Sequence, residues 1–368
     1  MYIGILCTMI NGFGRRGYYN SQEVGLGRTL ARMGHTVIIY KGVYPEDRPD
    51  EVNIEERLNI RYIPMEHIGA HGKMNTDLLD KDLSGLFCFA DQQIFLPHVY
   101  KWCRKNKVRF IPYVGTAHSL DHNLKSVITN TLFAMGTLKI YKHEHVVAKT
   151  VAAEDELLSL GVCDTTVAPV GLDDAVLKKD FRDYDRDALR RGYGYAPDDV
   201  ILCNVSRLSP EKRTLELIDI FLKVRGKKKF KLIIVGKGPL EDELRAKISE
   251  NNLWDEVAVY PEIPYDRMWE IYVMSDYYLN LNKGEIFGMS VMEAVYYCTS
   301  VAAIKAIGPS TTLKGLKGHK LCDSDDDIAR WVLAPYPDKT DLEVSAYKIL
   351  RDFNWNKCAD TIVDIING

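Results

Sequence analysis

One stretch decides the fold of this chain: Val200-Ile201-Leu202-Cys203-Asn204-Val205-Ser206-Arg207-Leu208-Ser209-Pro210-Glu211-Lys212. Its first six residues form the short apolar run that is typical of a buried strand in a parallel sheet. Ser209 is a favourable N-cap and Pro210 a favourable first helical residue, so a helix is expected to follow. The stretch therefore predicts a strand, a loop and a helix, with Lys212 in the first helical turn. This order is the repeating unit of doubly wound α/β folds.

The same alternation extends in both directions along the chain. Before this stretch, strands are predicted at 2–7, 36–40, 60–63, 86–90, 108–113, 145–148 and 166–168, and after it at 231–235, 257–260, 277–281 and 300–304. Helices are predicted from residue 20, around 95–106, and at 123–141 and 151–160. Asn20 with Glu23 reads as a capping box for the first helix, and Gly34 fits its C-cap. The pattern predicts two Rossmann-like doubly wound domains, and 368 residues suffice for two.

Composition and charge exclude several functional classes. A net charge of -3 and a pI near 6.3 argue against a dedicated nucleic-acid binder. No apolar run approaches the roughly 20 residues that span a bilayer, and the N-terminus lacks the basic region of a signal peptide. Eight cysteines are scattered without a Cys-x-x-Cys pair, which favours a reducing compartment. We therefore expect a cytoplasmic protein.

Charged residues and glycines follow two of the predicted strands in the second half. Arg207 and Lys212 could neutralise a diphosphate, although two solvated surface charges are the alternative. A cation in the first turn of a helix opposes the helix dipole, so a nearby anion would account for Lys212. Gly236 and Gly238, followed by Pro239, form a second turn of the same kind. A Gly-x-Gly pattern alone is weak, and its value here lies in recurring at the same edge of the sheet.

Two glutamates, Glu285 and Glu293, lie eight residues apart around Gly288. A glycine just before a helix lets backbone amides point at an anion, which the helix dipole also favours. Carboxylates suit polyhydroxyl groups because each accepts hydrogen bonds from two hydroxyls. A phosphate at the start of the helix with carboxylates on both sides is how a sugar nucleotide would be held. The chain is therefore a candidate glycosyltransferase.

Three motifs follow one another along the chain: Ser-Arg-Leu-x-x-x-Lys, Val-Gly-Lys-Gly-Pro and Glu-x7-Glu. In this order they resemble the motifs of the retaining glycosyltransferases of family 4, which have the GT-B fold. The similarity extends to 34–37 and 167–173 and so covers most of the chain. It implies that Arg207 and Lys212 bind the donor diphosphate and stabilise it as a leaving group. It also implies that Glu293 binds the ribose and Glu285 the donor sugar. Amides near three residues would bind the distal phosphate: Phe287, Gly288 and Met289.

The resemblance also makes expectations for the first domain. Gly14 and Gly17 would belong to a glycine-rich loop beside the donor phosphate and the acceptor, and His118 would position the transferring sugar. The domains would be 1–170 for the acceptor and 171–352 for the nucleotide sugar, with a helix in 353–368 returning to the first. The two domains would enclose a cleft.

The activity implied is a metal-independent, retaining transfer, with His118, Arg207, Lys212 and Glu285 as the catalytic residues. A UDP-sugar is the leading donor, and a saccharide or glycolipid of bacterial surface polysaccharide synthesis the expected acceptor. No cofactor is expected. A nucleotide-sugar epimerase on the same fold and a catalytically silent partner of an active transferase are the alternatives. Two departures, at 297–301 and 305–310, affect the expected shape of the sugar pocket.

Three further clusters have simpler interpretations. The pairs His118 with His122 and His143 with His145 lack an evident third ligand for a metal. Asp323-Ser324-Asp325 has the form of a metal-binding D-x-D motif but is better placed to cap a helix. A basic run with one tryptophan is interpreted as a solvated helix face, with weak peripheral contact with an anionic membrane as the alternative. The run comprises Lys101, Trp102, Arg104, Lys105, Lys107 and Arg109.

Overall fold

The computed structural model of the protein describes residues 1–10, 21–117 and 124–368. The chain divides into two compact units. The first comprises Met1–Asp174 and Phe353–Gly368, and the second comprises Ala175–Asp352. Both have the predicted α/β architecture, in which a mainly parallel sheet is accompanied by helices.

In the residues that the structure describes, the first unit contains ten strands: β1 (Tyr2–Cys7), β2 (Thr36–Val43), β3 (Asp50–Glu55), β4 (Leu58–Pro64), β5 (Glu66–Ile68), β6 (His71–Lys73), β7 (Gly85–Phe89), β8 (Arg109–Val114), β9 (Val146–Ala148) and β10 (Thr165–Val167). Its helices are α1 (Gln22–Arg32), α2 (Leu96–Asn106), α3 (Leu124–Met135), α4 (Thr137–Tyr141), α5 (Val151–Ser159) and, from the end of the chain, α14 (Asn356–Asn367). The main sheet has the order β10-β9-β8-β7-β1-β2-β4-β3, parallel except where β3 pairs with β4. The hairpin of β5 and β6 is separate.

The second unit contains β11 (Val200–Val205), β12 (Phe230–Val235), β13 (Val257–Tyr260), β14 (Tyr277–Asn280), β15 (Ser300–Ile304) and β16 (Lys320–Cys322). Its helices are α6 (Arg186–Gly192), α7 (Thr214–Val224), α8 (Glu241–Glu250), α9 (Met268–Met274), α10 (Met289–Tyr296), α11 (Ile307–Thr312), α12 (Asp325–Leu333) and α13 (Lys339–Asp352). The sheet is fully parallel, in the order β13-β12-β11-β14-β15-β16. The carboxyl ends of β12, β11 and β14 are thus neighbours.

The burial of the central strands explains why apolar runs in the sequence predict them. Every residue of β15 is buried, and β11 is buried except at its two ends. Leu202, Leu232 and Leu279 lie in the core that these strands share with the helices. Since both faces of such a strand are covered, nearly all of its positions are apolar.

Several predicted elements differ from the structure. The single helix predicted at 123–141 is two helices, because the chain breaks at Gly136, where an added Cβ would lie 3.2 Å from Pro97 Cγ. The predicted capping box includes Glu23, whose carboxylate lies 2.5 Å from the buried Lys41 ammonium. Its other member, Asn20, lies outside the described residues. Gly34 has the left-handed conformation expected where α1 ends, with φ +89°.

The chain around Gly171 packs against the residues that precede α14. An added Cβ at Gly171 would lie 2.4 Å from the carbonyl carbon of Asn354, so only glycine fits. The Leu172 amide donates to the Phe353 carbonyl at 2.8 Å. This close approach places residues 171–174 in the first unit, four residues beyond the boundary predicted at 170. Throughout the three described ranges, every helix is too short or too polar to cross a membrane.

Candidate functional site

The loop after β11 carries the two predicted phosphate-binding cations. Pro210–Lys212 is a single 3-10 turn, and α7 begins only at Thr214, so Lys212 precedes the α-helix and does not lie in its first turn as predicted. The separation arises at Arg213, which has φ +54° and is held by two hydrogen bonds to the Asp325 carboxylate at 3.0 and 2.8 Å. Ser209, predicted to cap the helix, is the N-cap residue of this turn instead, and its side chain makes no capping hydrogen bond.

Lys212 and Glu285 meet across the carboxyl ends of β11 and β14. The Lys212 Nζ lies 2.8 Å from Glu285 Oε2, and both side chains are largely buried. The Asn282 side-chain amide donates to the same oxygen at 3.2 Å. Asn282 is itself fixed, because its Oδ1 accepts the Gly284 amide at 2.9 Å. A charged pair held on both sides has a defined geometry.

Arg207 lies in the same loop but nearer to solvent. Its guanidinium donates to Glu211 Oε1 at 2.8 Å, and that oxygen also accepts the Ser209 hydroxyl at 2.7 Å. Burial favours a raised pKa for Glu211, but hydrogen bonds and the cations Arg207 and Lys212 outweigh it, so its pKa is lowered. Exposed pairs such as Arg207–Glu211 contribute only about 0–1 kcal/mol. Arg207 could therefore exchange Glu211 for another anion at little cost.

The glycines after β12 allow the two loops to touch. An added Cβ would lie 1.8 Å from the Ser206 carbonyl oxygen at Gly236 and 2.2 Å from the Leu208 carbonyl oxygen at Gly238. The Leu208 amide donates to the Lys237 carbonyl at 2.9 Å, which joins the loops. These glycines support the backbone on either side of Arg207. Pro239 is exposed in the turn before α8.

The segment between β14 and α10 places the two predicted glutamates. Gly288, with φ +83°, is the N-cap residue, and Met289 is the first residue of α10. Phe287 is buried, and an added Cβ at Gly308 would lie 2.6 Å from its carbonyl oxygen. The Gly308 amide also donates to the Glu285 carbonyl at 2.8 Å. Gly308, in a stretch where the sequence departs from the family pattern, thus supports the loop that carries Glu285.

Glu293 lies in the second turn of α10 and is buried. The Tyr272 hydroxyl donates to its Oε2 at 2.7 Å. Burial and, after it, the charge of Glu293 raise the pKa of Tyr272 well above its ordinary value, so the hydroxyl stays a donor. The Tyr297 ring stacks on Tyr272, with centroids 5.7 Å apart.

A pocket of about 280 Å³ opens beside Glu293. Its aromatic lining comes from α9 and the turn before it and from the end of α10: Tyr265, Trp269, Tyr272 and Tyr297. Lys178 and Asp266 add one charge of each sign. An aromatic pocket with a carboxylate at one side suits a ring that carries hydroxyl groups. The sequence patterns did not indicate these aromatic residues, because they come from separate elements.

Three predicted residues of the first domain, Gly14, Gly17 and His118, lie outside the described residues. Near the carboxyl ends of β7, β8 and β9, however, sequence reasoning missed a buried ion pair. The Lys149 ammonium contacts Asp91, and the other Asp91 oxygen accepts the Gly115 amide. Asp91 thereby anchors the chain just before residue 118. Its position directly after a predicted strand was the available signal.

Two of the three metal-like patterns have other partners, and the third, His118 with His122, lies outside the described residues. Ser324 forms a capping box with Asp327, so the interpretation of Asp323-Ser324-Asp325 as a helix cap is confirmed. His145 contacts Asp164 at 2.6 Å and Thr166 at 2.9 Å. In the described part of the chain, no three His, Cys, Asp or Glu side chains converge as a metal site. Trp102 of the basic run is buried in the core.

Comparison with known proteins bears on this site and on the fold. Residues 185–334 match the family model for glycosyl transferases group 1. The chain is 24% identical over 404 residues to D-inositol 3-phosphate glycosyltransferase of Jonesia denitrificans, covering 96% of this chain and 92% of that protein. Sucrose-phosphate synthase from Thermosynechococcus elongatus superposes with a TM-score of 0.75 at 16% identity, covering 100% and 98% of the two chains. Anabaena HepE, solved with UDP and glucose, gives 0.72 at 16% identity, covering 100% and 99%.

The fold of the chain is that of the GT-B glycosyltransferases. Residues 185–334, which carry Arg207, Lys212, Glu285 and Glu293, are a domain of the glycosyl transferases group 1 family. Outside those residues, the chain is similar to glycosyltransferases along most of its length. The resemblance inferred from the order of the motifs is thereby confirmed.

Proposed function

We propose that the protein transfers a sugar from UDP-sugar to a saccharide or glycolipid acceptor, with retention and without a metal ion. The observation that carries this proposal is the pair Lys212 and Glu285, 2.8 Å apart at the carboxyl edge of the second sheet. Arg207 lies in the same loop as Lys212, and Glu293 in the helix that follows Glu285. A diphosphate needs cations and a sugar needs hydroxyl acceptors, and this edge offers both.

The chemistry follows from the charges of these groups. As the bond between sugar and phosphate breaks, negative charge develops on the departing diphosphate. Lys212 would stabilise that charge, and Arg207 would join it by leaving Glu211. Glu285 would hold Lys212 in place and accept hydrogen bonds from the donor sugar. Retention would proceed by front-face attack, in which the departing phosphate takes the acceptor proton.

Other assignments in this proposal come from similarity. Anabaena HepE has been solved with UDP-glucose, whereas starch synthase IV of Arabidopsis thaliana has been solved with ADP and acarbose. UDP is our choice for this chain. His118 would position the sugar, with Gly14 and Gly17 close to the phosphates. We place the enzyme in the cytoplasm, in the synthesis of bacterial surface polysaccharide.

The decisive experiment is a thermal-shift screen with UDP, GDP and ADP, each in EDTA. Ligand at about 100 times its Kd adds roughly 2.7 kcal/mol of stability. We expect a shift with UDP that is lost in Lys212→Ala. The matched control is Lys229→Ala. Lys229 lies just before β12, at the amino ends of the strands of the same sheet, and its Nζ pairs with Asp198. No shift with any diphosphate would contradict the proposal and favour the silent-partner alternative.

Turnover then separates transfer from isomerisation. UDP-glucose incubated alone should yield no isomerised sugar, and release of UDP should depend on added acceptor. The anomeric configuration of the product, read by NMR, tests retention. An isomerised sugar nucleotide in the absence of acceptor would instead identify an epimerase.

A further inference from the structure

Helix α3 of the first unit presents an apolar face to the outside. Four large side chains on it are exposed: Val127 by 59%, Ile128 by 54%, Leu132 by 47% and Met135 by 64%. At about 100° per residue they fall within an arc of roughly 140° on the helix. On the other side, Phe133 is buried in the core and anchors the helix. The orientation of α3 is therefore opposite to that of an ordinary surface helix, whose outward face is polar.

The helix has one charged residue, Lys125 near its start, whereas charge is dense beside it. No residue from Ser126 to Leu138 is charged. Yet residues 92–143 contain eight lysines and arginines and one acid, Asp121, in a chain whose net charge is -3. The cations therefore do not reflect the average composition. They are concentrated around α3 in the sequence.

Five of these cations lie on or beside α4, which packs against α3, or on α2, which packs against α4. The five exposed cations are Lys101, Arg104 and Lys105 on α2, Lys139 on α4, and Lys142 at the C-cap of α4. Within the described ranges none of them is in an ion pair, and the acid that follows, Glu144, accepts the Tyr100 hydroxyl at 2.8 Å. An apolar face thus adjoins unpaired positive charge.

We propose that this docking face, formed by α3 and the cations of α2 and α4, binds the surface of an anionic lipid bilayer. Apolar side chains on one side of a helix enter the boundary between headgroups and acyl chains. Lysines and arginines beside them meet the lipid phosphates. A protein partner would have to combine an apolar centre with an acidic rim, whereas an anionic bilayer supplies both everywhere. The inference does not depend on the proposed reaction.

The test is co-sedimentation of the full chain with vesicles of phosphatidylcholine, with and without phosphatidylglycerol. We expect binding to the anionic vesicles that weakens as salt rises. Ile128→Ser with Met135→Ser should lower the partition coefficient roughly tenfold or more, since the two lost side chains no longer enter the bilayer. Lys139→Glu with Lys142→Glu should remove the preference for anionic vesicles.

A matched control uses exposed apolar residues of another helix in the same unit. Val151 and Leu158 of α5 are 60% and 46% exposed, so Val151→Ser with Leu158→Ser should leave the partition unchanged. All of these side chains are exposed, so the variants should melt like the wild type. Three results would overturn the proposal: no binding to anionic vesicles, equal loss in the control, or self-association without vesicles that the α3 variant abolishes. The last would identify a second copy as the occupant.

Discussion

At the scale of single residues, Tyr272 is the group that orients the ribose-binding candidate Glu293. Its hydroxyl is 2.7 Å from the buried carboxylate. Tyr272→Phe removes only that oxygen and should weaken UDP binding roughly 10- to 150-fold, because a hydrogen bond to a charged group contributes about 1.5–3 kcal/mol. Calorimetric titration of UDP and of its 2′- and 3′-deoxy forms measures this. The effect should shrink for the analogue that lacks the hydroxyl Glu293 binds.

Tyr193→Phe is a chemically matched control. The Tyr193 hydroxyl donates to Glu270 at 2.6 Å in the same unit, away from Glu293. Its loss should lower stability without changing nucleotide affinity. Two results would show that Tyr272 acts only through the stability of the fold. One is equal weakening of UDP binding by both variants. The other is a loss of affinity in Tyr272→Phe that is as large for the deoxy forms as for UDP.

His319 makes the stability of the second unit depend on pH. Its Nδ1 accepts the Val301 amide at 3.1 Å, and within the described residues its buried Nε2 has no partner. Burial lowers the pKa of His319 to about 3. The unfolded chain, whose histidine pKa is about 6.5, therefore binds a proton that the folded state refuses, so stability is lost as pH falls below about 6.5.

The corresponding variant is His319→Asn, whose side-chain oxygen can still accept the Val301 amide. Between pH 7 and about 5, the wild type should lose roughly 1–2 kcal/mol more unfolding free energy than the variant. Urea unfolding at several pH values gives that difference. Parallel pH profiles for the two proteins would show that the imidazole can be protonated in place.

At the scale of elements, the contact between the loops after β11 and β12 depends on missing side chains. A Cβ at Gly238 would lie 2.2 Å from the Leu208 carbonyl oxygen, so Gly238→Ala must push the loops apart. Overpacking of this kind costs about 1–3 kcal/mol. Because Arg207 lies between the contact points, UDP affinity should also fall. Chemical denaturation and nucleotide titration measure the two effects.

Gly192→Ala is the control, because it makes the same glycine-to-alanine change at a position where the added Cβ causes no clash. Gly192 ends α6, and an added Cβ would meet nothing within 4 Å. That variant should be neutral or slightly stabilised, because alanine favours helix by up to about 1 kcal/mol. Equal behaviour of the two variants would mean that the loops separate without consequence.

Elements buried on both faces were predictable, and those that depend on side-chain pairing were not. Strands β1, β11, β13 and β15 have the bounds expected from their apolar runs. Strand β3 was missed because its sequence is polar and it pairs only at the sheet edge. The break at Gly136 was missed because apolar residues continue on both sides of it, from α3 into α4.

The candidate site divides in the same way. Charged residues in the loops after strands, such as Arg207 and Glu285, could be located because parallel strands place their carboxyl ends together. Tyr272 could not, because its hydroxyl reaches Glu293 from the interior of another helix. Nor did the sequence show that Lys212 faces Glu285, since that contact joins residues 73 positions apart.

At the scale of the whole molecule, the chain crosses between its two units twice, and its last helix completes the first. Trp355, just before α14, is buried, and an added Cβ at Gly25 of α1 would lie 2.5 Å from its indole nitrogen. Cys358, Ala359 and Ile362 of α14 are buried as well. The first unit therefore includes the final segment of the chain in its core.

This arrangement predicts separate responses of the two units to heat. Trp355→Ala should destabilise the first unit by about 3–5 kcal/mol, because a large buried side chain leaves a cavity. Gly238→Ala should destabilise only the second unit, and UDP should stabilise that unit alone if its site lies there. Scanning calorimetry should resolve two transitions. Trp355→Ala should lower the melting temperature of the first unit, Gly238→Ala should lower that of the second unit, and UDP should raise that of the second unit. Each unit has its own sheet and core, so cooperativity is expected within units. One transition that both variants lower to the same extent would instead show that the units unfold together, with the last helix coupling them.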